Sequence, residues 1–109
     1  MRSPDAAWVE RDRLRALTAE QKERFLPLCP SFVIELRSPS DALAAGQAKM
    51  EEYRAAGARL GWLIDPLERR VHVYRDERIT ILEEPAEVSG EPEMPGLVME
   101  MGEIWDPSW

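Results

Sequence analysis

Apolar positions in this chain fall into short runs separated by turn chemistry, and the period of the runs changes along the sequence. Phe32-Val33-Ile34 is a continuous apolar run ending in Glu35, and Ser38-Pro39-Ser40 interrupts it before a helix-forming segment begins. The pattern predicts a strand over 31–37 with a carboxylate near its end. Ser40 or Asp41 is placed to cap the helix that follows, and Gly57 can take the left-handed conformation that ends it. Read at 3.6 residues per turn, that helix carries Ala42, Ala45, Lys49, Tyr53 and Ala56 on one stripe, where Lys49 is the only charge. Leu60-Gly61-Trp62-Leu63-Ile64, closed by Asp65-Pro66, suits a strand covered on both faces. Strand, helix and strand in succession imply a crossover unit.

The flanking segments are more varied. Ala6-Ala7-Trp8-Val9 reads as a short strand entered directly from Pro4, so that Asp5 stands at its start. Residues 10–26 are charged and leucine-spaced, and Thr18-Ala19-Glu20-Gln21 has the spacing of a capping box, which predicts one or two short helices. Val71-His72-Val73-Tyr74 and Ile79-Thr80-Ile81-Leu82 alternate as the arms of a hairpin, with His72 expected to face outward. Pro85, Gly90, Pro92, Pro95 and Gly96 make residues 82–96 a mobile loop on sequence grounds. Residues 97–105 are expected to add a last short strand or turn that packs Trp105 on the body.

Composition narrows the possibilities. A chain of 109 residues is expected to form one domain, 1–109, with a modest core. No window approaches the roughly 20 apolar residues needed to span a bilayer, so no membrane role is expected. The lone Cys29 has no intramolecular partner, which points to the reducing cytoplasm. A formal net charge of -7 argues against a broad basic surface for nucleic acid. The seven acids between 83 and 103 account for that excess, since no basic residue stands among them.

Lys49 is chemically out of place on a small, apolar stripe, because an ammonium is buried only against a compensating anion. Either it reaches solvent along its alkyl stem while Glu35 ends a strand at the surface, or Glu35 neutralises it. Asp5, Glu35 and Lys49 are distant in sequence, yet two strand ends and a crossover helix could bring them together. Two carboxylates fix hard divalent cations, and a lysine beside them stabilises charge on a phosphate under attack.

An ordered set of motifs resembles a known family. Ser3-Pro4-Asp5-Ala6-Ala7-Trp8-Val9, then Pro30-Ser31-Phe32-Val33-Ile34-Glu35-Leu36-Arg37-Ser38-Pro39-Ser40-Asp41, then Lys49 with Tyr53, then Gly57 and Gly61-Trp62-Leu63-Ile64-Asp65-Pro66 resemble the Uma-two family. Its members are assigned as endonucleases within the PD-(D/E)XK restriction-endonuclease-like superfamily. The resemblance implies an α/β fold, a mixed sheet with a crossover helix and a β-hairpin, here truncated at the amino end. It implies hydrolysis of DNA phosphodiesters with Mg²⁺ or Mn²⁺ held by Asp5, Glu35 and the backbone carbonyl of Leu36, and Lys49 as the catalytic lysine.

In the usual superfamily pattern the lysine lies two residues after the second acid, where this chain has Arg37. Arg37 is therefore the reserve candidate, although a fixed cation serves proton transfer less well. Gln47 and Tyr53 are secondary candidates for contacts to substrate or water. A truncated sheet would leave the strand after Asp5 and the adjoining face uncovered, which favours a two-fold homodimer, the rival account being that the carboxyl tail with Trp105 and Trp109 folds back over that surface. The alternative is a non-catalytic scaffold or interaction protein that keeps Asp5, Glu35 and Lys49 as a structural ion cluster.

Overall fold

A five-stranded mixed sheet, in the order β1-β2-β3-β4-β5, forms the frame of the protein in a computed structural model that describes residues 6–8 and 31–107. β1 (Ala6–Trp8) runs antiparallel to β2 (Phe32–Leu36), and β2 runs parallel to β3 (Leu60–Asp65) through the crossover helix α1 (Leu43–Ala55). β4 (Arg70–Tyr74) and β5 (Ile79–Glu83) complete the sheet as the expected hairpin. Asp5, the segment 9–30 with its expected helices and Cys29, and Trp109 lie outside the described residues. Among the described residues no helix is long and apolar enough to cross a membrane.

Alternation along the strands divides the core into two layers. Val33, Leu63 and Tyr74 face α1 and pack with Met50, Tyr53 and Ala58. Phe32, Ile34, Trp62, Ile64, Val71 and Val73 face the other way, where Phe32 and Trp62 meet edge to face with ring centroids 4.8 Å apart. Both faces of β3 are thus covered, which is why its apolar run is unbroken.

The second layer is closed partly by residues 82–96, expected to form a loop, and partly by residues 97–105, which add the expected short strand and pack Trp105 on the body. Within 82–96, β6 (Glu87–Ser89) pairs antiparallel with β7 (Val98–Glu100), and α2 (Gly102–Trp105) follows. Val88, Met101 and Trp105 seal the sheet, and Trp105 Nε1 donates to the Pro85 carbonyl at 2.8 Å. Proline and glycine set the turns here without preventing a three-residue ladder, since Val88 has a core to enter.

Three local expectations are corrected. Neither Ser40 nor Asp41 caps α1: Ala42 occupies that position with no side-chain bond, because the Asp41 carboxylate accepts instead from the Ser38 hydroxyl at 2.9 Å. The buried line of α1 runs through Met50 and Tyr53, with Leu43 and Gly46 half-buried, leaving Ala42, Ala45 and Ala56 exposed. Gly46 causes this rotation, as its missing side chain lets the helix settle on Leu63. His72 is buried and not outward-facing, since it lies between Leu63 and Ile81 on the face shared with α1.

The end of the helix follows expectation. Gly57 has φ +110°; its amide donates to the Arg54 carbonyl at 3.1 Å and the Ala58 amide to the Tyr53 carbonyl at 3.0 Å. These are the paired bonds of a Schellman termination, and they fix the turn that returns the chain to β3.

Candidate active site

β2 and α1 converge on a carboxylate. Glu35 shares the parity of Val33, so β2 points it under α1, where the residue is only 4% exposed. Its two oxygens meet different partners. The Tyr53 hydroxyl donates to Oε1 at 3.2 Å, and Lys49 Nζ lies 3.7 Å from Oε2. Lys49 and Tyr53 are four residues apart and occupy successive turns on one side of the helix. The Lys49 side chain keeps 36% of its surface exposed, so it both compensates Glu35 and reaches solvent. Of the two readings open from sequence, neutralisation by Glu35 is the one the geometry realises.

A cavity of about 180 Å³ opens beside this pair, lined by Glu35, Arg37, Ser38, Asp41, Gly46 and Lys49 among others. Leu36, at the last position of β2, also borders it. Arg37 does not point a free guanidinium into the space: Nη1 donates to Asp65 Oδ2 at 2.9 Å and Nε to the Asp41 carbonyl at 3.2 Å. Gln47 lies on the opposite edge of the helix and does not line the cavity. Tyr53 is 6% exposed with its hydroxyl directed at Glu35. Asp5 lies outside the described residues, but the strand it precedes begins with Ala6 paired to Ile34, one residue before Glu35.

Asp65 is the residue that sequence reasoning passed over. It is fully buried, accepts the Arg37 guanidinium on one oxygen, and accepts the amides of Leu67 and Glu68 on the other at 3.1 and 3.2 Å. A signal was present, because an acid at the end of a wholly apolar strand demands a cation, and Arg37 directly follows the neighbouring parallel strand. A larger hollow of about 570 Å³ lies at the far end of the sheet beside the β4–β5 turn. It contains none of the expected site residues, and its Arg75 is engaged by Glu93 at 3.0 Å. Among the described residues no group of three or more His, Cys, Asp or Glu is arranged to hold a metal ion.

Residues 1–102 match the Uma2 family, described as "Putative restriction endonuclease". The chain belongs to the Uma2 family. A solved structure of "a putative nuclease belonging to DUF820" from Anabaena variabilis ATCC 29413 is similar to it, with a TM-score of 0.62 and 26% sequence identity. The match covers 72% of this chain and 45% of that chain, so the Uma2 chain described here spans less than half of the solved one. No curated protein matches. The mixed sheet, crossover helix and hairpin are therefore a shared fold, and the Glu35–Lys49 pair sits within the matched family segment.

Proposed function

We propose that this Uma2 chain is a metal-dependent endonuclease that hydrolyses DNA phosphodiesters at the Glu35 cavity. One observation carries the reading: a buried carboxylate is paired with a half-exposed lysine at the wall of a cavity open to solvent. Phosphoryl chemistry needs an ammonium that can leave its carboxylate for a phosphate oxygen, and a lysine partly open to the cavity is placed to do so. Family membership and the structural neighbour support the reaction class.

The donor chemistry suits a hard cation. Glu35 and the Leu36 carbonyl offer oxygen, with Asp5 the further carboxylate of the proposal, and oxygen donors of this kind select Mg²⁺ or Mn²⁺. When bound, such an ion would acidify a coordinated water and offset charge on the phosphate. The chain's own contributions are distinct from this. Glu35 anchors the site near the end of β2, and Lys49 reaches the anionic oxygens from the second turn of α1. Arg37 and Ser38 hold the 38–41 turn that forms the cavity rim.

A cytoplasmic location belongs to the same proposal. The second reading, a non-catalytic scaffold, draws on the net charge of -7 and on a pair whose charges already compensate each other. Cleavage of supercoiled plasmid with Mg²⁺ separates the two. Asp5→Asn, Glu35→Gln and Lys49→Ala should each lower the rate by about 10²-fold or more with the fold retained. Cleavage that survives both carboxylate changes would overturn the nuclease reading for this chain.

A further inference from the structure

We propose that Tyr53 is a positioning residue that locks the Glu35 carboxylate for cation binding, and that it is not a contact for substrate. The inference rests on the reading of the Glu35 cavity as a divalent-cation site. Tyr53 is fixed at both ends: its carbonyl accepts the Ala58 amide in the turn that ends α1, and its hydroxyl donates to Glu35 Oε1. Between them the ring is held among Val33, Met50, Ala58, Leu63 and Tyr74. The phenol therefore presents a neutral donor from a side chain with little freedom to move.

Lys49 differs on each count. It approaches the other oxygen at the longer distance of 3.7 Å, and its stem is flexible and partly exposed. A lysine drawn toward a phosphate would release Oε2, while Tyr53 would still hold Oε1 and so keep the carboxylate plane from turning. Partners of a ligating carboxylate set its orientation in this way, and removing one costs about 10–100-fold in metal affinity. The two helix residues should then act with opposite sign on cation binding. Tyr53 supports it, and Lys49, as a competing cation, does not.

Calorimetric titration of Mn²⁺ into the full chain, with Tyr53→Phe, Lys49→Ala and Tyr74→Phe beside wild type, tests this. Tyr53→Phe should raise the Kd about tenfold. Lys49→Ala should leave the Kd unchanged or lower it, and Tyr74→Phe, which changes a buried ring with no bond to Glu35, should leave it unchanged. Equal Mn²⁺ affinity in wild type and Tyr53→Phe overturns the positioning role while the cation site stands. A wild type that binds no Mn²⁺ overturns both. The wild-type protein gives a second measure that needs no substitution: Mg²⁺ should shift the Tyr53 ring resonances in NMR and leave those of Tyr74 in place. Tyr53 resonances indifferent to saturating Mg²⁺ would overturn the inference.

Discussion

Arg37 donates to Asp65 across the ends of two parallel strands at 2.9 Å, with the carboxylate wholly removed from solvent. That bond commits the arginine to structure. At the position where the superfamily pattern would put a working lysine, this chain has a tie between β2 and β3. Truncating one partner of a buried pair leaves the other charge uncompensated, which costs about 3 kcal/mol or more. Arg37→Ala should therefore lower the urea midpoint strongly, and Arg37→Lys should recover only part of the loss, because an ammonium cannot serve Asp65 and the Asp41 carbonyl with the same fork. An unchanged midpoint in Arg37→Ala would show the tie to be dispensable.

Gly57 should tolerate no side chain. Its φ of +110° is strained for any L residue, and both closing bonds of α1 depend on that turn. Gly57→Ala should cost about 1–2 kcal/mol, measured by denaturant unfolding, with the slope of the transition unchanged. A neutral result would mean that the helix can end by another route.

His72 should make stability depend on pH below neutrality. Burial pushes its pKa below the ordinary value; Arg70 acts in the same direction, while Asp65 and Glu83 oppose it. The folded state thus favours the neutral ring, and as pH falls through about 6.5 the unfolded chain takes up the proton first. Stability is full above that value and declines as pH drops toward the folded pKa. Nε2 has no hydrogen-bond partner, so His72→Leu gives up no bond there and should flatten the decline below pH 6.5. The Asp106 carboxyl, held below its usual range by Arg69, titrates lower still and leaves this window clear. A slope unchanged in His72→Leu would assign the effect elsewhere.

We propose that a homodimer forms through β5, at the opposite edge of the sheet from the strand after Asp5 that the sequence suggested. Among the described residues β5 ends the sheet with no outer partner, and Ile79 and Ile81 stand 44% and 51% exposed on one face. An edge strand of this composition lacks the lysines and prolines that discourage pairing. Light scattering over a dilution series should show mass falling from dimer to monomer, and Ile81→Lys should be monomeric throughout. A monomer at tens of micromolar in the unsubstituted chain ends the proposal.

The crossover unit was legible because its signals agree: an apolar run, turn residues, a helical period, a terminal glycine and a second apolar run. The Glu35–Lys49 pair was legible only as one of two alternatives, because a lysine on that stripe could equally run out to solvent and most of the stripe is in fact exposed. What sequence could not supply was rotation. Two residues of α1, Gly46 and Met50, decide which side of the helix is buried, and a period of 3.6 is blind to where a missing side chain permits closer approach. The last short strand and the packing of Trp105 were legible in residues 97–105, whereas β6 was hidden by the prolines around it, since turn chemistry announces where a chain bends and not whether Val88 finds a core. His72 was misplaced because alternation assigns a residue to a face without saying whether that face is covered.

A Cβ on Gly46 would come within 2.9 Å of Leu63 Cδ1, so the helix rests on the sheet with nothing between them. The absent side chain works as a gauge for the site. Lys49 lies less than one turn beyond this contact, and its 3.7 Å approach to Glu35 is already at the outer reach of an ion pair. A side chain at position 46 would have to displace the Leu63 methyl or lift that end of α1, and a lift would part the lysine from the carboxylate without touching either. The spacing of Glu35 and Lys49 in this Uma2 chain is in that sense a clearance, set by an apolar contact that carries no charge.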